Sequence, residues 1–376
     1  MKLVVVGDLS LQDRAAKMLW DENQLGHAFA EVKKVVETCN HALVNLESPV
    51  TSSTQPILKK GPNLKNNPTA FNIINYCGFD IVTLANNHLK DFGGKGVTDT
   101  LDYCKQHGLT VVGAGRTLDE ARLPLIIKDD SVTIGIINVC EHEFSVATRQ
   151  SAGANPLDFP NLFEDIQELR KKVDKIIVII HGGKEHYQLP TPRMKREYHL
   201  IADFGADVIV NHHQHCYSGY ELYKGKPIFY GLGNFFFDEP KKRNDKWNQG
   251  LMIQLDVEKE RIDFRLIPYE QCNNEPVVNV RDDSFVAKQI EEINRVIADD
   301  EQLEAALGKL VEKEKRKLLF PFIPYRNHYL RALYNRGHLS ARISKKDEVN
   351  IENVTSCETH RELLLHYFYS HLHERE

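Results

Sequence analysis

The sequence predicts an α/β protein of two packed sheets with helices outside them, followed by a helical C-terminal extension. Three observations carry this expectation. Short β-branched runs alternate with amphipathic segments through the first half of the chain, from Ser218 onward the runs come in pairs joined by tight turns, and beyond about Asp282 the pattern becomes helical. Apolar strands spaced by helices belong to a sheet covered on its faces. A parallel part that leads into an antiparallel meander points to two sheets rather than one doubly wound sheet.

Strands are expected at residues 3–6, 42–46, 81–84, 110–112, 132–139, 175–180 and 207–210, where Val, Ile and Leu cluster. Helices are expected between them at residues 25–38, 68–77, 96–107, 161–173 and 192–204, where the apolar residues recur with helical spacing. The meander comprises residues 220–223, 226–230, 250–257 and 261–267, joined by glycine-bearing or charged turns. After it come helices at residues 284–298 and 302–319, a basic and aromatic stretch at 321–346, and a last amphipathic helix near 358–371. The natural division is a catalytic-type domain over residues 1–275 and a helical extension over 276–376.

With 376 residues, 41% of them apolar, the chain can bury a sizeable core. Its formal charge of -5 lacks the basic excess with which nucleic-acid binders neutralise phosphates, so nucleic acid is not an expected partner. Seven scattered cysteines with no CxxC pair cannot close into a disulfide set, which suits a reducing compartment. The apolar run after Met1 is too short for a signal segment or a membrane span. The expectation is a cytoplasmic protein that starts on its first core strand.

Polar residues stand directly beyond five of the expected strands. Gly7-Asp8 follows the first, in the position where open α/β sheets bind ligands. Asn45-Leu46-Glu47 closes the second, so Asn45 and Glu47 share one face of the pleat. Asn86-Asn87-His88 follows the third, with Asp91 and Gly93 in the same turn, and combines an amide ligand with a proton carrier. The run of residues 176–180 leads into His181-Gly182-Gly183, with Glu185 and His186 just beyond. Asn211-His212-His213-Gln214-His215 is the most specific signal, because alternate imidazoles face one way and bind one or two ions. Together Asp8, Glu47, Asn87, His181, His213 and His215 offer the oxygen and nitrogen donors of hydrolytic Zn, Mn or Fe sites. Two ions about 3.5 to 4 Å apart would activate water and polarise the scissile bond.

These motifs, with Gly113-Ala114-Gly115, Lys184-Glu185 and Tyr230-Gly231-Leu232-Gly233-Asn234-Phe235, recur in an order that resembles the CapA family of capsule or poly-γ-glutamate synthesis proteins. That family is a branch of the calcineurin-like metallophosphoesterases, and the resemblance covers about residues 1–270. It implies a four-layer α/β/β/α sandwich and a centre of two divalent metal ions, Mn, Zn or Fe. It also implies that Glu47 bridges the ions, that Asn87, His181 and His213 complete one site, and that Asp8 and His215 serve the other. His88 would act as general acid, oriented by Asp91. Ser10 stands where the wider superfamily has a ligand histidine, a departure that leaves the Asp8 and His215 site short of nitrogen ligands, with its ion expected to be weakly bound or absent.

Lys59, Lys60, Arg193 and Lys195 fall in segments expected near the mouth, where Arg193 is the best candidate for gripping an anionic group. Glu185 and His186 would shape the same substrate pocket. The leading expectation is a metal-dependent phosphoesterase acting on a phosphorylated or anionic small molecule or polymer in capsule synthesis. The alternatives are an amide or γ-glutamyl hydrolase on the same centre, and a metal-stabilised, non-catalytic subunit that assembles with other capsule-synthesis proteins. Basic residues interleaved with Phe320, Phe322, Tyr325, Tyr329 and Tyr334 over residues 313–346 suggest peripheral contact with the inner face of the membrane.

Overall fold

The computed structural model describes residues 1–282, 284–319, 327–339 and 343–356. In chain order the first half contains β1 (Lys2–Ser10), α1 (Glu22–Val36), β2 (His41–Leu46), α2 (Ala70–Cys77), β3 (Ile81–Thr83), α3 (Gly93–Gln106) and β4 (Thr110–Val112). There follow β5 (Ala114–Gly115), α4 (Leu118–Ala121), β6 (Leu125–Lys128), β7 (Thr133–Cys140), β8 (Gly153–Ala154), α5 (Phe159–Arg170), β9 (Lys175–His181), α6 (Pro192–Phe204) and β10 (Val208–His212). The last strands are β11 (Tyr220–Tyr223), β12 (Lys226–Phe229), β13 (Asn234–Phe237), β14 (Gln249–Val257), β15 (Ile262–Gln271) and β16 (Val278–Val280). Helices α7 (Ser284–Ala298), α8 (Asp300–Leu319), α9 (His328–Asn335) and α10 (Lys345–Ser356) complete the described chain.

The helix starts are written locally. Asp21 and Gln24 form a reciprocal capping box on α1, Asp158 caps α5, and Thr191 caps α6 with Pro192 in its first turn. Gly78 ends α2 in a left-handed conformation at φ 84.

Two sheets face each other. The first has the order β16-β15-β14-β1-β2-β3-β4, with β13 beside the far half of β1, and the second has the order β11-β12-β10-β9-β7-β6. Along β1, residues 2–5 pair antiparallel with β14, and Asp8 to Ser10 pair parallel with β13. Gly7 marks the handover, because a Cβ there would lie 1.8 Å from the Gly233 carbonyl oxygen.

Three apolar cores separate four layers. Val4, Val6, Val44 and Leu46 pack with Phe29, Val32, Phe71, Ile74 and Val97 of α1, α2 and α3. Leu3, Val5 and Leu43 point the other way, into a core shared with Ile177, Ile179, Val208 and Val210 of the second sheet. Ile176, Val178, Ile180 and Ile209 then meet Leu162, Ile166, Tyr198 and Ile201 of α5 and α6. Alternate residues of each strand enter different cores, so the strands read as nearly continuous apolar runs. The resulting α/β/β/α order is the layering that the resemblance implies.

The expected meander is divided between the sheets. The hairpin β11–β12 forms an edge of the second sheet, with β12 parallel to β10, whereas β14, β15 and β16 extend the first. Hairpin chemistry fixes local pairing, and the sheet a hairpin joins depends on which apolar face it covers. The described chain forms two compact units, Met1–Glu304 and Ala305–Glu376, and the first takes in β16 and α7, whose Val286 and Ile290 enter the inter-sheet core. In the second unit, Asn327 caps α9 through its side chain. Tyr329 is exposed and Tyr334 is buried. Phe320, Phe322, Tyr325 and the helix expected near 358–371 lie outside the described residues. Among the described residues no helix is long and apolar enough to cross a membrane.

Candidate metal centre

The strand ends bring the sequence-predicted donors together. His181, the last residue of β9, places Nε2 3.1 Å from Asn87 Oδ1 and 3.1 Å from His213 Nδ1. At the end of β1, Asp8 lies with Oδ2 3.7 Å from His215 Nδ1, and Glu47 Oε1 is 3.7 Å from His215 Nε2. The donor atoms of Asp8, Glu47 and His215 all fall within 4.8 Å of one another, and so do those of Glu185, His213 and His215. His213 at φ 87 and His215 at φ 54 are both left-handed, which aims two imidazoles from one short segment at neighbouring points.

Residues not assigned a role from the sequence hold this arrangement. Asn45 donates from Nδ2 to Asp8 Oδ1 at 2.6 Å and accepts from Thr83 at Oδ1, as its phase with Glu47 on β2 allows. His215 Nδ1 lies 2.8 Å from Asn234 Oδ1, leaving Nε2 towards Glu47, and its ring packs 4.8 Å from Trp247. Asn234 stands in the Gly233-Asn234-Phe235 segment, whereas no sequence signal marks Trp247. Asn66 donates to the Glu47 and Ser48 carbonyls and accepts from the Leu11 amide, pinning the turn that carries Glu47. Ser10, fully buried, faces Ser48 Oγ at 3.5 Å and accepts from the Gln12 amide at 3.1 Å, so hydroxyl and amide groups surround it.

His88 is tied to a buried charge pair. Its Nδ1 donates to Asp91 Oδ2 at 2.6 Å, and Lys59 Nζ lies 3.0 Å from the same nitrogen while forming an ion pair with Asp91 Oδ1. The Leu64 amide also donates to Asp91. The Lys59 side chain is only 2% exposed, so it serves His88 and Asp91 and does not present a cation to solvent. Arg193 is likewise committed, to Glu141 at 2.6 Å and to Glu197, while Glu141 accepts from the Gly183 amide. Lys195 is buried on the Ile297 carbonyl and Asp300, and Lys60 is exposed and outside the donor cluster. His186, at φ 60, packs 5.6 Å from Trp247 beside the centre.

Burial sets the protonation of the centre. It raises Asp8 to about 7 and Glu47 well above the usual carboxylate range, the latter further raised by Asp8 and Glu185. Burial, followed by repulsion among the imidazoles, lowers His181 and His215 well below the ordinary histidine value, and burial also lowers His213. Neutral imidazoles are the ligating form. Both carboxylate oxygens of Glu47 are buried without a hydrogen-bond partner. An ionised carboxylate in that state is costly unless a cation meets it. The residues present therefore fit divalent metal: Asp8, Glu47 and His215 form one group of donors, and Asn87, His181 and His213 meet in another.

A four-layer sandwich with histidines, carboxylates and an asparagine converging at its strand ends defines the class of protein, an α/β/β/α fold with a candidate metal centre at one end of its facing sheets. The chain belongs to the bacterial capsule synthesis family: a family model described as Bacterial capsule synthesis protein PGA_cap matches residues 2–239. It is 31% identical over 239 residues to the PGA biosynthesis protein CapA of Bacillus subtilis, a match covering 62% of this chain and 62% of that protein. It is 25% identical over 335 residues to the capsule biosynthesis protein CapA of Bacillus anthracis, covering 84% of this chain and 80% of that one. Among solved structures, a hypothetical protein from Thermus thermophilus aligns at a TM-score of 0.46 and 15% identity, over 72% of this chain and 99% of that one.

Proposed function

We propose that this chain is a metal-dependent hydrolase that cleaves a phosphate ester during synthesis of a capsule or surface polymer. The reading is carried by the contacts of His181 Nε2 with Asn87 Oδ1 and His213 Nδ1, at 3.1 Å each, and by a buried Glu47 carboxylate with no hydrogen-bond partner. Divalent ions, when bound, make a nucleophile of water near neutral pH and polarise the bond under attack. Glu47 would hold an ion together with Asp8 and His215. His88 follows the ligand Asn87, and with Nδ1 fixed by Asp91 it has Nε2 free to deliver a proton to the leaving oxygen. Arg193, through Glu141 and the Gly183 amide, steadies the turn that follows His181. The biosynthetic setting, and other capsule-synthesis proteins as partners, are carried over from the relatives' names.

One observation favours a second bond type. Lys59 and Arg193, two of the cations expected to grip a phosphate, are each paired with carboxylates, which weakens their hold on an anionic group. An amide or γ-glutamyl bond needs no such grip, and the same centre is suited to its hydrolysis.

The test is metal content together with turnover of a generic aryl phosphate and of a γ-glutamyl anilide. Bound divalent ions with aryl phosphate turnover that falls at least about a hundredfold in His88→Ala support the phosphoesterase. Turnover of the anilide alone moves the reading to amide hydrolysis. Bound ions with neither turnover, and biological activity intact in His88→Ala, overturn both in favour of a non-catalytic assembly subunit.

A further inference from the structure

We infer that Glu185 is a ligand of the second metal position, where it takes the place left by Ser10 and makes an oxygen-rich site suited to Mn2+. This rests on the metal-centre reading above and assigns Glu185 a place within it.

The second position is short of donors. Asp8, Glu47 and His215 come within 4.8 Å of one another, and Ser10 is engaged by Ser48 and Gln12. Glu47 points into this space with both oxygens buried and unpartnered, which marks it as a cation position independently of Glu185. Glu185 offers a carboxylate oxygen within 4.8 Å of the His213 and His215 donor nitrogens. It is exposed, on a turn fixed at both ends. The Gly183 amide donates to Glu141 at 3.0 Å, and the His186 amide donates to the Gln214 carbonyl at 2.8 Å. The second bond ties the turn to the residue between His213 and His215, so Glu185 is held beside their segment by backbone geometry.

The donor sets then differ in kind. Asn87, His181 and His213 give the first position two imidazoles, which suits zinc or iron. Asp8 and Glu47 with His215 give the second two carboxylates and one imidazole, and Glu185, which groups with His213 and His215, adds a third carboxylate on the His215 side, which suits a harder ion such as Mn2+.

The experiment titrates the chelator-stripped full chain with Mn2+, followed by calorimetry and electron paramagnetic resonance, for the wild type, Glu185→Gln and Glu185→Asp. The wild type is expected to bind two ions with an exchange-coupled spectrum. Glu185→Gln should keep the first ion, weaken the second by about tenfold or more and lose the coupled signal, with Glu185→Asp intermediate. A wild type that binds two ions and a Glu185→Gln chain that binds both equally well overturn the role of Glu185 and leave the metal centre standing. A wild type that binds no divalent ion overturns both. A second position that prefers Zn2+ over Mn2+ as strongly as the first overturns the oxygen-rich donor set.

Discussion

Glu47 is the residue on which the metal reading and a purely structural one diverge most. Its buried, unpartnered carboxylate destabilises the metal-free fold when ionised, so Glu47→Gln should stabilise the metal-free chain while abolishing binding of at least one ion. Urea denaturation with parallel metal analysis checks both signs, and a loss of metal-free stability would mark Glu47 as an ordinary structural residue. The centre also sets a pH dependence. The lowered His181, His213 and His215 remove stability as pH falls through their ordinary value of 6.5, because the unfolded chain then takes up protons that the folded one refuses. The raised Asp8 and Glu47 work oppositely: their contribution is lost as pH rises through the folded value, about 7 for Asp8. Metal-free protein should therefore melt highest near pH 6 to 7 and lose melting temperature towards pH 8, where Mn2+ should restore the most. Scanning calorimetry across pH, with and without Mn2+, reads both effects.

At the scale of elements, the segment from Thr51 to Asn67 shows how a loop without regular structure is held. Ile57 and Leu64 donate amides to Asp91, Lys59 pairs with it, and Asn66 closes the far end against Leu11, Glu47 and Ser48. Asn66→Ala leaves several buried backbone groups unpaired and should cost about 2 to 4 kcal/mol in urea denaturation. Lys59→Met should slow cleavage of an alkyl phosphate far more than that of a nitrophenyl phosphate, since only a poor leaving group needs the proton held at His88. Equal losses on both substrates would reduce Lys59 to a structural role. The Asp91 hub was half legible in the sequence. The spacing of His88 and Asp91 within one turn announces their contact, whereas Lys59 arrives from a loop whose path no local pattern encodes.

At the scale of the molecule, the unit Met1–Glu304 contains both sheets, the three cores and every candidate ligand. A chain lacking residues 309–376 should accordingly keep its cooperative unfolding and metal stoichiometry, measured by calorimetry and metal analysis. If the basic and aromatic stretch touches anionic membranes, co-sedimentation with phosphatidylserine vesicles should be lost in the same deletion. The sequence by itself determined the layers and the list of candidate donors, because both are local: strands buried on two faces read as apolar runs, and a candidate donor near a strand end is a polar residue that interrupts the run. Asp8, Glu47, His181 and the His213 to His215 segment were all visible in that way. Only the tertiary structure decided that Arg193 and Lys59 spend their charge on Glu141, Glu197 and Asp91, that Ser10 is enclosed by Ser48 and Gln12, and that the last strands divide between two sheets. The deciding contacts, Arg193 with Glu141, Lys59 with Asp91, Ser10 with Ser48 and the strand pairings, join partners far apart along the chain, and which faces the fold buries together sets them.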